Sequence, residues 1–308
     1  MISVVIPTYN RIDVLLKCLN ALGNQTVPTD KYEVIVIDDG STDSTKSTLD
    51  KRISNYTFSV RYFYQSNRGP ASARNIGIKE AKNSIILFIG DDIIATPNLI
   101  KEHIKSHSEY PMENIAILGF TTWSPELVVT PFMNWLENGG PQFSYNQIEN
   151  QIDLTQDLEF FFYTSNISLK RSFILQNGLF DEDFPSAAFE DTEYGFRLKK
   201  CGLKLIYNKN AVGFHYHPMT IESVSRRMQR VGESMHILFQ KQPEIIPRID
   251  YAMPKYDSFT KIKRSILNVL FPVCRPLNFQ KLNKSYYSST MAIHLQKGYQ
   301  KAKKKNAS

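Results

Sequence analysis

Asn83-Ser84-Ile85-Ile86-Leu87-Phe88-Ile89-Gly90-Asp91-Asp92-Ile93-Ile94-Ala95-Thr96-Pro97 is the stretch on which the fold turns. Five consecutive apolar residues, 85–89, run into a glycine and then into two carboxylates. A continuous apolar run of that length, closed by glycine, predicts a strand buried on both faces. Open α/β sheets take their ligands at the carboxyl ends of the strands, which is where Asp91 and Asp92 fall. Carboxylates are hard oxygen donors suited to Mg²⁺ or Mn²⁺. The plainer reading of two acids after a strand is a solvated turn, or the cap of the following helix.

Working outward, the same grammar repeats. Residues 2–6 form a short apolar strand stopped by Pro7, and Ile12, Leu15, Leu16, Leu19 and Leu22 then recur at helical spacing. Residues 32–37 predict a second buried strand, which ends in Asp38-Asp39-Gly40-Ser41, with Thr42 or Asp43 placed to cap the next helix. Residues 60–64 predict a third strand and 71–81 a helix after the turn Asn67-Arg68-Gly69-Pro70. Strand and helix alternate, so the sheet is mostly parallel and covered on both faces. Parallel strands point one way, which puts the turns Asp38-Asp39 and Asp91-Asp92 on one edge of the sheet. Two acidic turns converging on one crevice read as a site for a nucleotide and a metal.

Downstream, a helix is predicted over 97–109, a strand over 115–121, short helices over 171–176 and 192–201, and a last strand over 212–218. Trp123, Phe132, Trp135 and Phe143 are scattered among Pro and Gly, and ordinary core packing is the plain explanation for any one of them. Arg226, Arg227 and Arg230 follow on a helix, as a solvated face or a diphosphate-binding cluster.

Composition bounds the rest. The chain has 308 residues, 42% hydrophobic and 22% charged, room for one large α/β domain and an appendage. Cys18, Cys201 and Cys274 are odd in number and widely spaced, which points to a reducing compartment rather than a disulfide framework. The N-terminus reads as a strand and not a signal peptide, and no run approaches the ~18 apolar residues of a membrane span. There is no Gly-x-Gly-x-x-Gly after the first strand, no Gly-x-x-x-x-Gly-Lys-Ser/Thr and no Gly-x-Ser-x-Gly. Dinucleotide binding in the Rossmann manner, P-loop chemistry and a nucleophile elbow are thereby disfavoured. Residues 258–308 carry eleven Lys and Arg and no acid; removing those eleven from a net +7 leaves −4 for the body.

Taken in order, Val4-Val5-Ile6-Pro7-Thr8-Tyr9-Asn10, Val36-Ile37-Asp38-Asp39-Gly40-Ser41-Thr42-Asp43 and Gly69-Pro70-Ala71-Ser72-Ala73-Arg74-Asn75-Ile76-Gly77 resemble the opening of a family 2 glycosyltransferase. The match continues through Thr164-Ser165-Asn166 and Gly178-Leu179-Phe180-Asp181-Glu182 to Glu190-Asp191. The resemblance implies the GT-A fold, a Rossmann-like, mostly parallel sheet flanked by helices over residues 1–235, with a basic C-terminal helical extension over 236–308. The family's metal motif is Asp-x-Asp, and here Gly90 takes the first position, leaving Asp91 and Asp92.

The activity so implied is inverting transfer of a sugar from a nucleoside diphosphate, a UDP-sugar, to an acceptor hydroxyl, with Mg²⁺ or Mn²⁺ as cofactor. Asp92 would be the direct metal ligand, with His217 as a further ligand and His215 its rival. Asp91 would contact the ribose. Asp39 and the loop Pro7-Thr8-Tyr9 would hold the base, Asp38 supporting them, with Arg74 near the nucleotide. Asp191 is at the place of the general base, and Glu190 and Glu193 would orient it or the acceptor. A sugar-1-phosphate nucleotidyltransferase and an inactive sugar-nucleotide-binding relative are the rival readings. Nucleic-acid binding through the tail lacks a recognisable module. The acceptor is expected to be a glycan or a lipid-linked acceptor, in cell-surface polysaccharide or glycolipid synthesis. In the tail, Phe259, Ile262, Ile266 and Leu270 fall at helical spacing among Lys and Arg. This stripe fits either packing on the catalytic domain or attachment to an anionic membrane. The expected location is cytoplasmic, at the inner face of the cell membrane.

Overall fold

The apolar runs become strands. In the computed structural model Ile2–Thr8 (β1), Tyr32–Asp38 (β2), Ser59–Tyr64 (β3) and Ile85–Ile89 (β4) lie in parallel. Helices Ile12–Leu22 (α1), Thr45–Arg52 (α2) and Pro70–Glu80 (α3) connect them. The structure describes residues 1–252, 265–267 and 280–305. Every residue of β2 and of β4 is buried, as a sheet covered on both faces requires. The apolar side of α1, Ile12, Leu15, Leu19 and Leu22, packs with Ile2, Val4 and Ile6 of β1 in one core cluster.

Beyond β4 come Ile93–Ala95 (β5), Leu99–Glu109 (α4), Ile115–Trp123 (β6), Pro131–Glu137 (α5), Leu158–Phe161 (α6) and Asn166–Lys170 (β7). Arg171–Asn177 (α7), Glu190–Lys200 (α8) and Lys204–His215 (β8) follow. The eight strands stand in the order β3-β2-β1-β4-β7-β6-β8-β5. β7 runs antiparallel between β4 and β6, and β5 runs antiparallel to β8 at the edge. The last strand begins eight residues before the expected start at 212; its first half carries Asn208, Lys209 and Asn210 and a register shift opposite Gly119 and Phe120.

The described residues fall into two compact units: 1–128 with 145–217, and 129–144 with 218–308. The first contains the sheet. Among the described residues the second contains α5 and, later, Ile221–Lys241 (α9), Ile246–Ala252 (α10) and Gln280–Lys305 (α11), besides a helical piece at 265–267. A boundary at 235 would cut α9, which is continuous. α9 opens on a capping box between Thr220 and Ser223 and lies so close to α11 that no side chain fits between them at two points. A Cβ on Gly232 would run into the Leu295 carbonyl oxygen, and one on Gly298 into that of Gln229. In the same unit Phe132 and Trp135 pack on Tyr287, with ring centroids 5.0 and 5.3 Å away.

Of the amphipathic tail stretch, Phe259, Ile262 and Leu270 lie outside the described residues; Ser265–Leu267 is helical, with Ile266 exposed and Leu267 buried. Among the described residues no helix is long and apolar enough to cross a membrane.

Candidate active site

β2 and β4 both run parallel to β1, so their acidic turns emerge on one sheet edge. β1 itself joins them. The Thr8 carbonyl accepts from the Asp39 amide at 2.9 Å, and its hydroxyl donates to Asp91 Oδ2 at 2.8 Å. The loop after Pro7 is fixed by Asn10, whose Oδ1 accepts from the Thr42 amide at 2.7 Å and whose amide donates to Ser41 Oγ at 2.8 Å. Asn10 sits at φ 53°, a left-handed conformation that Asn tolerates. Between these fixed points the Tyr9 ring stays 46% exposed.

The first turn is satisfied by uncharged donors. Asp38, fully buried, accepts from the Ser41 amide at 2.7 Å and from the Tyr62 hydroxyl at 2.8 Å. Burial and Asp38 push the Tyr62 phenol well above its ordinary value, so it remains a donor. Asp39 accepts from the Gln65 amide group at 2.6 Å and from the backbone amides of Arg68 and Gly69 at 2.8 and 2.9 Å. A carboxylate has about four acceptor positions, so Asp39 keeps one for a further donor.

The second turn is satisfied by charge. Arg11, immediately before α1, places Nη1 2.9 Å from Asp91 Oδ1 and Nη2 2.8 Å from Asp92 Oδ2. The same Nη2 lies 3.0 Å from His217 Nδ1, and His215 Nε2 lies 3.2 Å from Asp92 Oδ2. Arginine only donates and carboxylate only accepts. His217 Nδ1 therefore turns a lone pair toward this centre, whereas His215 Nε2 turns an N–H. Burial and the neighbouring Asp92 push Asp91 up, to about 7, with Arg11 opposing. Burial acts the same way on Asp92, but His215 and Arg11 outweigh it and hold that carboxyl far below the usual range. Gly90 lacks the side chain of an Asp-x-Asp motif, and a Cβ there would stand 2.7 Å from Asp92 Oδ1.

A third group of acids stands on the loop and helix that follow α7. Arg74 Nη1 on α3 donates to Glu190 Oε1 at 2.8 Å, with both residues buried. Arg74 Nε and Glu190 Oε2 have no protein hydrogen-bond partner, although buried. Capacity of that kind in a native fold is met by water or ligand. Asp191 follows on the first turn of α8, partly exposed, its Oδ1 accepting from the Thr192 amide at 2.9 Å. Phe189, which delivers both acids, has φ 63°; a bulky residue there is strained by roughly 1–3 kcal/mol, and such strain gathers at functional sites. Glu193 is instead engaged with Arg197 at 3.1 Å. The loop before α8 is tied to α3 and the turn that precedes it: Glu182 accepts from Arg68 Nη2 of the turn at 2.7 Å and from Asn75 Nδ2 of α3 at 2.9 Å. Arg226, Arg227 and Arg230 lie on α9 in the other unit, where Arg227 donates to Gln142 at 2.8 Å.

Among the described residues no three His, Cys, Asp or Glu side chains surround one point as a ligand set. The chemistry of the second turn nevertheless fits a hard divalent cation. Two carboxylates and one imidazole lone pair face a single positive group, the Arg11 guanidinium. Arg11 is the residue that sequence reasoning missed. Two adjacent buried acids require a counter-charge, and Arg11 directly follows the Pro7-Thr8-Tyr9-Asn10 loop, so that requirement was the available signal.

Comparison with known proteins agrees with this layout. The family model described as glycosyl transferase family 2 matches residues 3–173. Validoxylamine A glucosyltransferase of Streptomyces hygroscopicus subsp. jinggangensis is 26% identical over 288 residues, covering 85% of this chain and 66% of the relative. Chondroitin synthase of Escherichia coli is 24% identical over 310 residues, covering 87% and 44%. The chain thus spans less than two thirds of the length of these relatives. The mannosyltransferase PcManGT of Pyrobaculum calidifontis, solved with GDP-Man and Mn²⁺, superposes with TM-score 0.65 at 16% identity, covering 97% of this chain and 86% of that one. S. aureus TarS 1-349 with UDP-GlcNAc superposes with TM-score 0.57 at 15% identity, covering 99% and 92%. A family model spanning more than half of the residues and a GT-A sheet carrying two acidic turns on one edge lead to one conclusion: the chain belongs to glycosyl transferase family 2.

Proposed function

We propose that this chain transfers a sugar from a nucleoside diphosphate, a UDP-sugar, to an acceptor hydroxyl with inversion at the anomeric carbon. The observation that carries the reading is Thr8, which links the Asp38-Asp39 turn to the Asp91-Asp92 turn by one hydrogen bond each. A nucleotide laid along that edge would meet both. Tyr9 offers an exposed ring to the base, and the remaining acceptor position of Asp39 takes a base N–H. Asp38 holds the turn in shape. Asp91 faces the ribose, and the buried Arg74, held by Glu190, completes the nucleotide side.

Asp92 and His217 would hold Mg²⁺ or Mn²⁺, which when bound neutralises charge on the departing diphosphate as a Lewis acid. Asp191 takes the proton of the acceptor hydroxyl. The new C–O bond forms at the anomeric carbon as the bond to the diphosphate oxygen breaks behind it, and the nucleoside diphosphate leaves. Attack from behind inverts the configuration. A positioned base contributes on the order of 10²–10⁴-fold.

The acceptor is a glycan or lipid-linked glycan of polysaccharide biosynthesis, met at the inner face of the cell membrane. The acid-free segment 258–308 supports that placement, since each Lys or Arg near an anionic surface adds about 1 kcal/mol. Replacing the exposed Lys303, Lys304 and Lys305 by Gln should weaken co-sedimentation with anionic vesicles by up to about fivefold per charge, most at low salt.

The test of function is a donor panel of UDP-, GDP- and dTDP-sugars with Mn²⁺ or Mg²⁺, reading nucleotide release. UDP-sugar turnover is expected, and Asp191→Asn should lower it by about 10²–10⁴-fold with donor binding intact. Donor binding without turnover of any sugar and acceptor offered would favour the inactive-relative reading.

A further inference from the structure

The charge arrangement at the second turn permits one step more. We propose that Arg11 is the resident cation of the Asp91–Asp92 turn and that a divalent metal enters by displacing its guanidinium. This rests on the glycosyltransferase reading only in taking a metal to bind at Asp92.

The contacts are those a metal would claim. Nη2 touches Asp92 Oδ2 at 2.8 Å and His217 Nδ1 at 3.0 Å, while Nη1 touches Asp91 Oδ1 at 2.9 Å. His217 Nδ1 is itself 4.0 Å from Asp92 Oδ2, so one donor group fills the gap between the two. A lone pair on His217 and one on Asp92 cannot serve both a guanidinium N–H and a metal. A metal ion and a guanidinium crowded at the same oxygen would also repel each other.

The acids need some cation at all times. Their side chains are 6% and 13% exposed, and two neighbouring carboxylates in such surroundings do not both stay ionised without a counter-charge. Arg11 suits the duty because its planar fork reaches both carboxylates at once, which a single ammonium does less well. It is also the member free to leave. Its side chain is 31% exposed, and at the N-cap of α1 only its backbone carbonyl serves the helix, accepting from the Val14 and Leu15 amides, while the side chain makes no capping bond. Departure toward solvent therefore breaks no contact that α1 depends on.

The experiment titrates Mn²⁺ alone, by calorimetry and by the electron paramagnetic resonance signal of the free ion, into full-length wild type, Arg11→Gln, Arg11→Lys and Asp92→Ala. Arg11→Gln should bind Mn²⁺ on the order of tenfold more tightly than wild type, in line with the loss of a charged hydrogen-bond competitor. Arg11→Lys should fall between the two. Without metal, Arg11→Gln should melt lower than wild type and gain more on adding Mn²⁺. Equal or weaker Mn²⁺ binding by Arg11→Gln would overturn the proposal. Should that variant not fold, Arg11→Lys decides alone: tighter binding than wild type supports displacement, and equal or weaker binding rejects it. Asp92→Ala separates the two readings. If it binds Mn²⁺ as wild type does, or if no variant binds at all, the metal assignment fails and the displacement with it. If Asp92→Ala loses binding while Arg11→Gln matches wild type, only the displacement fails.

Discussion

Two Asp-Asp pairs follow two buried strands that flank β1, and the fold completes them in opposite ways. The donors that meet Asp38 and Asp39 are uncharged: backbone amides of Ser41, Arg68 and Gly69, the Gln65 amide and the Tyr62 hydroxyl. Asp91 and Asp92 are met by the Arg11 guanidinium and, at Asp92, by His215. Backbone donors cannot move without unmaking the loop that carries them, so the first pair is a fixed socket. A side-chain cation can swing away, so the second pair is an exchangeable one. Identical dipeptides thus gain different functions from what surrounds them: the first defines a shape, the second a charge deficit that different cations can fill.

The largest test of that contrast is Asp92→Ala. It should abolish the enhancement of UDP binding by Mn²⁺ and lower turnover by on the order of 10²–10³-fold, the usual loss on removing a group that steadies developing charge. Calorimetric titration of UDP with and without Mn²⁺ reads it, and a retained metal enhancement would move the ligand elsewhere. Asp39→Ala should do the reverse. UDP binding should weaken equally with and without metal. Stability should drop by about 1–3 kcal/mol, because the buried amide of Gly69 loses its acceptor, while the part-buried amide of Arg68 can turn to water. Urea unfolding measures the second effect; a metal-dependent loss of affinity would erase the distinction between the pairs. Gly90→Ala probes how tightly the exchangeable pair is held. Its methyl would press on Asp92 Oδ1, and a cost of about 1–3 kcal/mol with weaker Mn²⁺ binding is expected.

A separate effect is a background that any pH study of the pairs has to subtract. His103 and His107 on α4 are buried against Ser168 and Asn166, and burial lowers them to about 4 and about 3. Their unfolded counterparts titrate near 6.5, so below that pH the unfolded chain binds more protons and stability falls. The slope is at most about 1.4 kcal/mol per pH unit for each histidine. It is nearly absent from pH 8 to 7 and grows as the pH drops toward 4. Unfolding at pH 7, 6 and 5 with His103→Gln as control reads it, and the same pH dependence in wild type and control would remove His103 as a source.

How much could be read in advance follows from what each feature depends on. The strands β1, β2 and β4 announce themselves, because continuous burial demands continuous apolar side chains, and the acidic turns are contiguous in sequence. α4 starts at Leu99 rather than at Pro97, with Asn98 in the N-cap position. β7 was hidden because its five residues, Asn166–Lys170, alternate polar and apolar but bring only two apolar side chains, Ile167 and Leu169, too short a pattern to stand out beside the aromatic run before it. The early part of β8 was hidden by its polar residues at a sheet irregularity. At the site, local motifs gave Thr8, Asp38, Asp39, Asp91 and Asp92 as a group, and the structure brings these together. The link between Arg74 and Glu190 spans 116 positions and that between Arg11 and His217 spans 206. No local pattern encodes partnerships of that reach. His217 and His215 are alike as letters, and only the direction of their hydrogen bonds sets the lone pair of one apart from the N–H of the other.

The interrupted make-up of the second unit bears on how the chain acquires its shape during synthesis. Residues 129–144 leave the ribosome long before Tyr287, the ring on which Phe132 and Trp135 settle. Domains fold as units and from the N-terminus as the chain emerges, so the sheet can close once residue 217 is out, while Phe132 and Trp135 of α5 still lack the Tyr287 ring. Its partner helix must then dock through a seam that admits no methyl group at Gly232 or Gly298. The aromatic face of α5 therefore stays without its Tyr287 partner until a segment more than a hundred residues downstream has been made.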